Sequence, residues 1–315
     1  MDLLLGENIF LIAKVSAAAV NHSDQYPSYA TVLGANADDL ANLMRGAFGN
    51  TAADEFRTHW TAQNASLVEY ANGVVTHNQD QADAATAAMA KETAQLAQFI
   101  TTLTQLQTAN TLAFLGGQLK RLIDDDFAQK FDAMYADLDA AYSVGRVLGD
   151  FLGPRMAQLF PDKFPGDPSL ASVTRRVALN GLLQEHAYLA TMATDAAING
   201  RTAEKRQALA ALSTNANAIG SVLKDGSVGK VWAQEVLAVA AYADHNDAAS
   251  KQGMTGTFVT QLSAATHVPA SLITDETGAI VKVIDDQRAK AFKTVAGDDR
   301  AAATAMQPIA DAMAS

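Results

Sequence analysis

Two acid–base side chains fall inside otherwise apolar helical stripes. His186 shares one stripe with Leu182, Leu189 and Ala193, and Glu235 shares another with Trp232, Val239 and Tyr242. A polar group on a core-facing stripe costs free energy unless it finds a partner, so the spacing predicts that these two meet. Two chemistries are open to such a pair. One is a buried hydrogen bond that fixes the register of two helices. The other is half of a metal or small-ligand site, since an imidazole with a carboxylate suits Zn, Fe or Mn. Glu185 would join that site only at its edge, because adjacent helical residues point about 100° apart. Two ligands do not specify a metal. No cofactor is therefore expected outright, and a divalent ion at His186 and Glu235 is the alternative.

The remaining candidates are weaker. The run Asp244-His245-Asn246-Asp247 reads as a surface metal-binding turn or as a solvated helix end, and Asp124-Asp125-Asp126 as a solvated helix end that could bind a cation loosely. His22, His59, His77 and His267 have no partner at ligand spacing. The pairs Trp60/Tyr70 and Trp232/Tyr242 suit core packing or the lining of a ligand pocket. No HExxH, GxSxG, GxxxxGK[ST] or strand-to-helix GxGxxG motif is present. The chain carries no catalytic pattern, and a non-enzymatic role is the expectation.

The elements that must position these residues occur twice. Leu4-Leu5-Gly6-Glu7-Asn8 matches Leu182-Leu183-Gln184-Glu185-His186, and Ala18-Ala19-Val20-Asn21 matches Ala196-Ala197-Ile198-Asn199. Trp60 and Tyr70 align with Trp232 and Tyr242, and Phe99-Ile100-Thr101-Thr102-Leu103 with Phe258-Val259-Thr260-Gln261-Leu262. Register changes fall in Gly/Asn/Asp-rich stretches, where loops accept insertions that packed helices do not. In the first copy the two polar stripe positions are Asn8 and Gln63, which are expected to pair as His186 and Glu235 do. The prolines at 161, 165 and 168 forbid helix and mark the boundary. The reading is all-α: two tandem homologous bundles, at about 1–165 and 169–315, of about six helices each, with a four-helix core plus extra helices. Asn199-Gly200 reads as a helix stop with Thr202 capping the next helix, and Asn50 or Thr51 as the cap of the Trp60 helix. Gly116-Gly117 marks a junction or a close helix contact.

Composition bounds the partners. The chain has 315 residues, 49% of them hydrophobic and 7% aromatic, so alanine and leucine must fill most of the core. With 23 Lys+Arg against 34 Asp+Glu, the net charge is −11 and no basic cluster exists. Nucleic acid is not an expected partner. No uninterrupted apolar run reaches the ~18 residues of a membrane span, and the partner is left as an unidentified protein or small molecule. The absence of cysteine excludes disulfides and thiol chemistry. The start Met1-Asp2-Leu3-Leu4-Leu5 lacks the basic region of a signal peptide. That leaves a cytoplasmic protein, or a mature exported form without its signal peptide.

At these residues the chain resembles a family of uncharacterised exported bacterial helical proteins. The resemblance is carried by Leu182-Leu183-Gln184-Glu185-His186, by Trp60-Thr61-Ala62-Gln63 with Tyr70, and by Phe160-Pro161-Asp162-Lys163-Phe164. Some relatives adjoin a region labelled as a copper amine oxidase N-terminal domain, which implies no oxidase activity here. The family pattern has histidine where this chain has Asn8, Gln63, Glu235, Val144 and Ala305; of that set only His186 remains. The resemblance implies a structural or interaction module of the cell envelope or exterior. The alternative is a metal- or small-ligand-binding bundle centred on His186 and Glu235.

Overall fold

A computed structural model of the protein describes residues 1–314. Among them every regular element is helical. The chain divides into two compact units, Met1–Pro168 and Ser169–Ser315.

The first unit is built around its first helix. Helix α1 (Asp2–Val20) packs against α2 (Tyr26–Phe48), α3 (Asn50–Val75), α5 (Ala109–Phe127) and α6 (Phe131–Leu159), while α4 (Gln79–Thr104) bridges α3 and α5. A helix surrounded on all sides has no polar face, and residues 5–16 of α1 are buried without interruption. This qualifies one expectation. Although Glu7 and Lys14 interrupt it, α1 is the one described helix long and apolar enough to cross a bilayer, yet 72% of that stretch lies buried inside the protein. Gly49 alone links α2 to α3 and takes φ +88, a backbone region that favours glycine. It occupies the cap position expected for Asn50 or Thr51. Asn78 caps α4 by accepting from Gln81 N–H.

The second unit has the same kind of centre. Helix α7 (Ala171–Ile198) is buried continuously from 183 to 194 and packs against α8 (Thr202–Leu223), α9 (Gly226–His245), α12 (Ala270–Ala289) and α13 (Val295–Ala314). Between α9 and α12 the chain does not form one long helix. It runs as α10 (Ala248–Gln252), a π-helical turn (Gly253–Phe258) and α11 (Val259–Thr266). Gly253 and Gly256 weaken the α-helical ladder at that break. Helix α7 stops at Asn199 with Gly200 at φ +71, but Arg201 rather than Thr202 holds the cap position of α8.

Two prolines depart from the rule that helix interiors exclude them. Pro154 and Pro308 sit in the last turns of α6 and α13, where a missing N–H disturbs a short remainder of the ladder. Residues 160–168 are non-helical as expected. Lys163 Nζ in that segment donates to the carbonyls of Gly46 and Ala47, both at 3.0 Å, and so closes the C-terminal end of α2 with a cation. Phe160 packs edge-on against Phe48.

Candidate functional site

The polar centre of the second unit begins with the contact between α7 and α8. On α8, Leu212, Asn215, Ala216 and Ile219 form a buried stripe with one amide in it. Asn215 Nδ2 donates to Leu182 O at 2.8 Å and to Glu185 Oε2 at 2.9 Å. Both acceptors lie on α7, so they fix which end of the amide is nitrogen. Asn215 Oδ1 is left facing His186 Nδ1 at 2.9 Å. An amide oxygen only accepts, so Nδ1 carries hydrogen and donates.

That assignment propagates to the other side of the ring. His186 Nε2 lies 2.9 Å from Glu235 Oε2, and the two residues are 0% and 1% exposed. Two bare acceptors would repel at this distance, so one proton lies between imidazole and carboxylate. The rings of His186 and Trp232 meet edge to face, with centroids 4.6 Å apart, and Trp232 in turn packs on Phe258. Glu185 belongs to the Asn215 side of the network, not to the Glu235 side. Helix geometry put it there, since it points away from the neighbouring ring.

A third titratable group was not anticipated. Glu276 lies on α12 in the buried stripe Ile273, Glu276, Ile280 and Val283; it is 0% exposed, and neither carboxylate oxygen has a hydrogen-bond partner. Burial, and then the charge of Glu235, push its carboxyl well above the usual carboxylate range, toward the neutral acid. A polar residue at helical spacing among isoleucines and valines was the available signal. One turn further along α7, Thr191 Oγ1 donates to Asp299, Thr194 Oγ1 donates to Gln287, and Gln287 Nε2 donates to Thr191 O. Among the described residues no three His, Asp, Glu or Cys side chains are arranged to hold a metal ion.

In the first unit Asn36 holds the place of the amide. Its Nδ2 donates to Leu4 O at 2.9 Å and Glu7 Oε2 at 2.7 Å, and its Oδ1 accepts from Asn8 Nδ2 at 3.2 Å. Asn8 thus turns toward α2, and Gln63 Oε1 on α3 is buried without a hydrogen-bond partner. An asparagine is shorter than an imidazole and does not span from one neighbour to the other. Asn36 and Asn215 were missed in sequence, although Leu33-x-x-Asn36-Ala37-x-x-Leu40 and Leu212-x-x-Asn215-Ala216-x-x-Ile219 put both on apolar stripes.

The other candidates have local roles. Tyr70 OH donates to Asp124, with Lys120 Nζ 2.6 Å from the same hydroxyl; Tyr242 OH donates to Asp285 at 2.6 Å, with Arg288 over its ring. Burial, and then Asp285, push the Tyr242 phenol up to about 12. Asp126 is buried, so the Asp124–Asp126 run is not simply solvated. His245 ends α9 and Asp247 caps α10 through Ser250 N–H, so the 244–247 run is a helix junction. His59 does find a partner, Glu92 at 3.2 Å. Comparison of the chain with family models, with curated proteins and with solved structures returns no match.

Proposed function

We propose that this protein is a non-enzymatic interaction or structural module, built by duplication of one helical bundle and working in the bacterial envelope or exterior. The observation that carries the non-enzymatic part is the enclosure of its most chemically capable groups. His186, Glu235 and Glu276 are 0%, 1% and 0% exposed, and a substrate meets none of them while the bundle is closed. The duplication reading is supported by the matching amide networks of Leu4, Glu7, Asn8 and Asn36 and of Leu182, Glu185, His186 and Asn215. The envelope or exterior is supported by the absence of cysteine and by the resemblance to exported helical proteins. A protein or small molecule is the expected partner; with a net charge of −11, nucleic acid is not.

The second reading is a metal- or small-ligand-binding bundle with its site in the second unit, favoured by the unpaired carboxyl of Glu276 beside Glu235. A metal at His186 Nε2 would have to displace the proton held against Glu235. Thermal melts with added Zn2+ or Mn2+ separate the readings. If the centre is structural, the ions leave the melting temperature of wild type and of His186→Ala unchanged. A rise in wild type that is lost in His186→Ala would establish the second reading in its place.

A further inference from the structure

The first unit contains a cavity of about 430 Å³ between α4 and α5, far from the amide network in chemistry. Its walls are mostly apolar, Met89, Ala90 and Ala94 from α4 and Ala113 and Gly117 from α5, interrupted by Thr86, Thr93 and Asn110, with Lys120 as the one ionic side chain lining it. Small residues hollow it out. At Gly116 an added Cβ would touch Met89 Sδ at 3.4 Å, so that glycine permits close helix contact; at Gly117 it would meet only the far end of Arg121 at 4.0 Å. The helices therefore gain nothing in packing from Gly117, whose missing side chain leaves open groove. On α5, Phe114 is 53% exposed and lies one turn from both Asn110 and Gly117, which line the groove.

We propose that this groove binds a free long-chain fatty acid, its alkyl chain along the alanine and glycine walls and its carboxylate at Lys120. The small alanine and glycine side chains leave a mostly apolar surface along which an alkyl chain can lie. The charge complementarity is local and partial, because the ammonium already pairs with Asp124. Lys120 Nζ spends two of its three hydrogens on Tyr70 OH at 2.6 Å and Asp124 Oδ2 at 3.2 Å, leaving one for an incoming carboxylate. Tyr70 OH and Asp124 hold the ammonium at the groove, so it does not have to be ordered when a ligand arrives.

Titration of delipidated full-length protein with palmitate tests this, read by calorimetry and by the carboxyl resonance of 13C-carboxyl palmitate. The expected result is one palmitate per chain with a shifted carboxyl signal. Gly117→Leu, which has room to fit, should fill the groove and abolish binding while the melting temperature stays at or above the wild-type value; Ala113→Leu serves the same purpose from an exposed position. Lys120→Gln should weaken palmitate about tenfold, the scale of one charge-assisted hydrogen bond, and hexadecanol should bind wild type about as weakly. Equal palmitate binding by wild type and both groove-filling variants would overturn the proposal, as would equal binding of palmitate and hexadecanol by wild type. A wild-type dimer converted to monomer by Gly117→Leu, without palmitate binding, would show that a second copy of the chain occupies the groove instead.

Discussion

Asn215 sets the protonation of His186 by spending both amide hydrogens on α7, at Leu182 O and Glu185, and presenting only its oxygen to the ring. Removing the imidazole strands two buried partners at once, the Asn215 oxygen and the Glu235 carboxylate. His186→Ala is therefore expected to lower the stability of the second unit by about 2–4 kcal/mol, measured by denaturant unfolding. His186→Asn, which places there the residue found at Asn8, should cost less, because an asparagine can still donate to the Asn215 oxygen as Asn8 does to Asn36. A double-mutant cycle with Glu235→Gln isolates the pair: a coupling indistinguishable from zero would mean that no proton is held between them. The tyrosines make the same kind of local choice. Tyr242 OH gives its hydrogen to Asp285, so the phenol is held against ionisation.

At the scale of elements, close backbone approach decides where two helices cross. Gly220 of α8 faces Gly229 of α9, and a Cβ added at Gly220 would lie 2.9 Å from Gly229 Cα and 3.1 Å from Asp225 O. These are backbone atoms that cannot swing aside, so Gly220→Ala should destabilise by about 1–3 kcal/mol despite alanine's better helix propensity. A neutral or stabilising result in thermal melts would mean that α8 and α9 separate more easily than their packing suggests. The helices themselves were legible in sequence because leucine and isoleucine recur at helical spacing, as at Leu112, Leu115, Leu119 and Leu122, and the same spacing placed His186 and Glu235 inside the protein. Legibility ended where side chains carry no apolar pattern. The α4–α5 groove is lined largely by alanine and glycine, which look alike on a buried and on an exposed face. The π-helical break before α11 contains Gly253 and Gly256, and single glycines in a helical pattern do not announce a π-turn. Asn36, Asn215 and Glu276 lay on legible stripes, but a single polar residue among apolar ones does not say which helix will face it.

For the whole molecule, carboxylates outnumber cations, 34 to 23, and one of those acids is enclosed in the core of the second unit. Glu276 is enclosed between α12 and its neighbours. The charge that acts on it is that of Glu235 from α9; Glu235 is itself held against His186 from α7, and Asp299 from α13 is tied to Thr191. Its carboxyl is raised in the folded protein, first by burial and then by Glu235. In the unfolded chain it titrates near the ordinary value of about 4.3. Above that value the folded state binds a proton that the unfolded state has released, so stability is full below it and is lost as pH rises through the folded value. Glu276→Leu removes the group and leaves the aliphatic stripe of Ile273 and Ile280 intact. It should raise stability at pH 7 by about 1–3 kcal/mol, the cost of an unpaired buried polar group. The difference between variant and wild type should be smallest below about pH 4 and widen as pH increases, because every other titrating group is common to both. Melting curves of the two proteins across this range measure that difference directly. A gap that stays constant, or narrows toward alkaline pH, would mean that Glu276 has found a partner in solution that keeps it ionised inside the bundle.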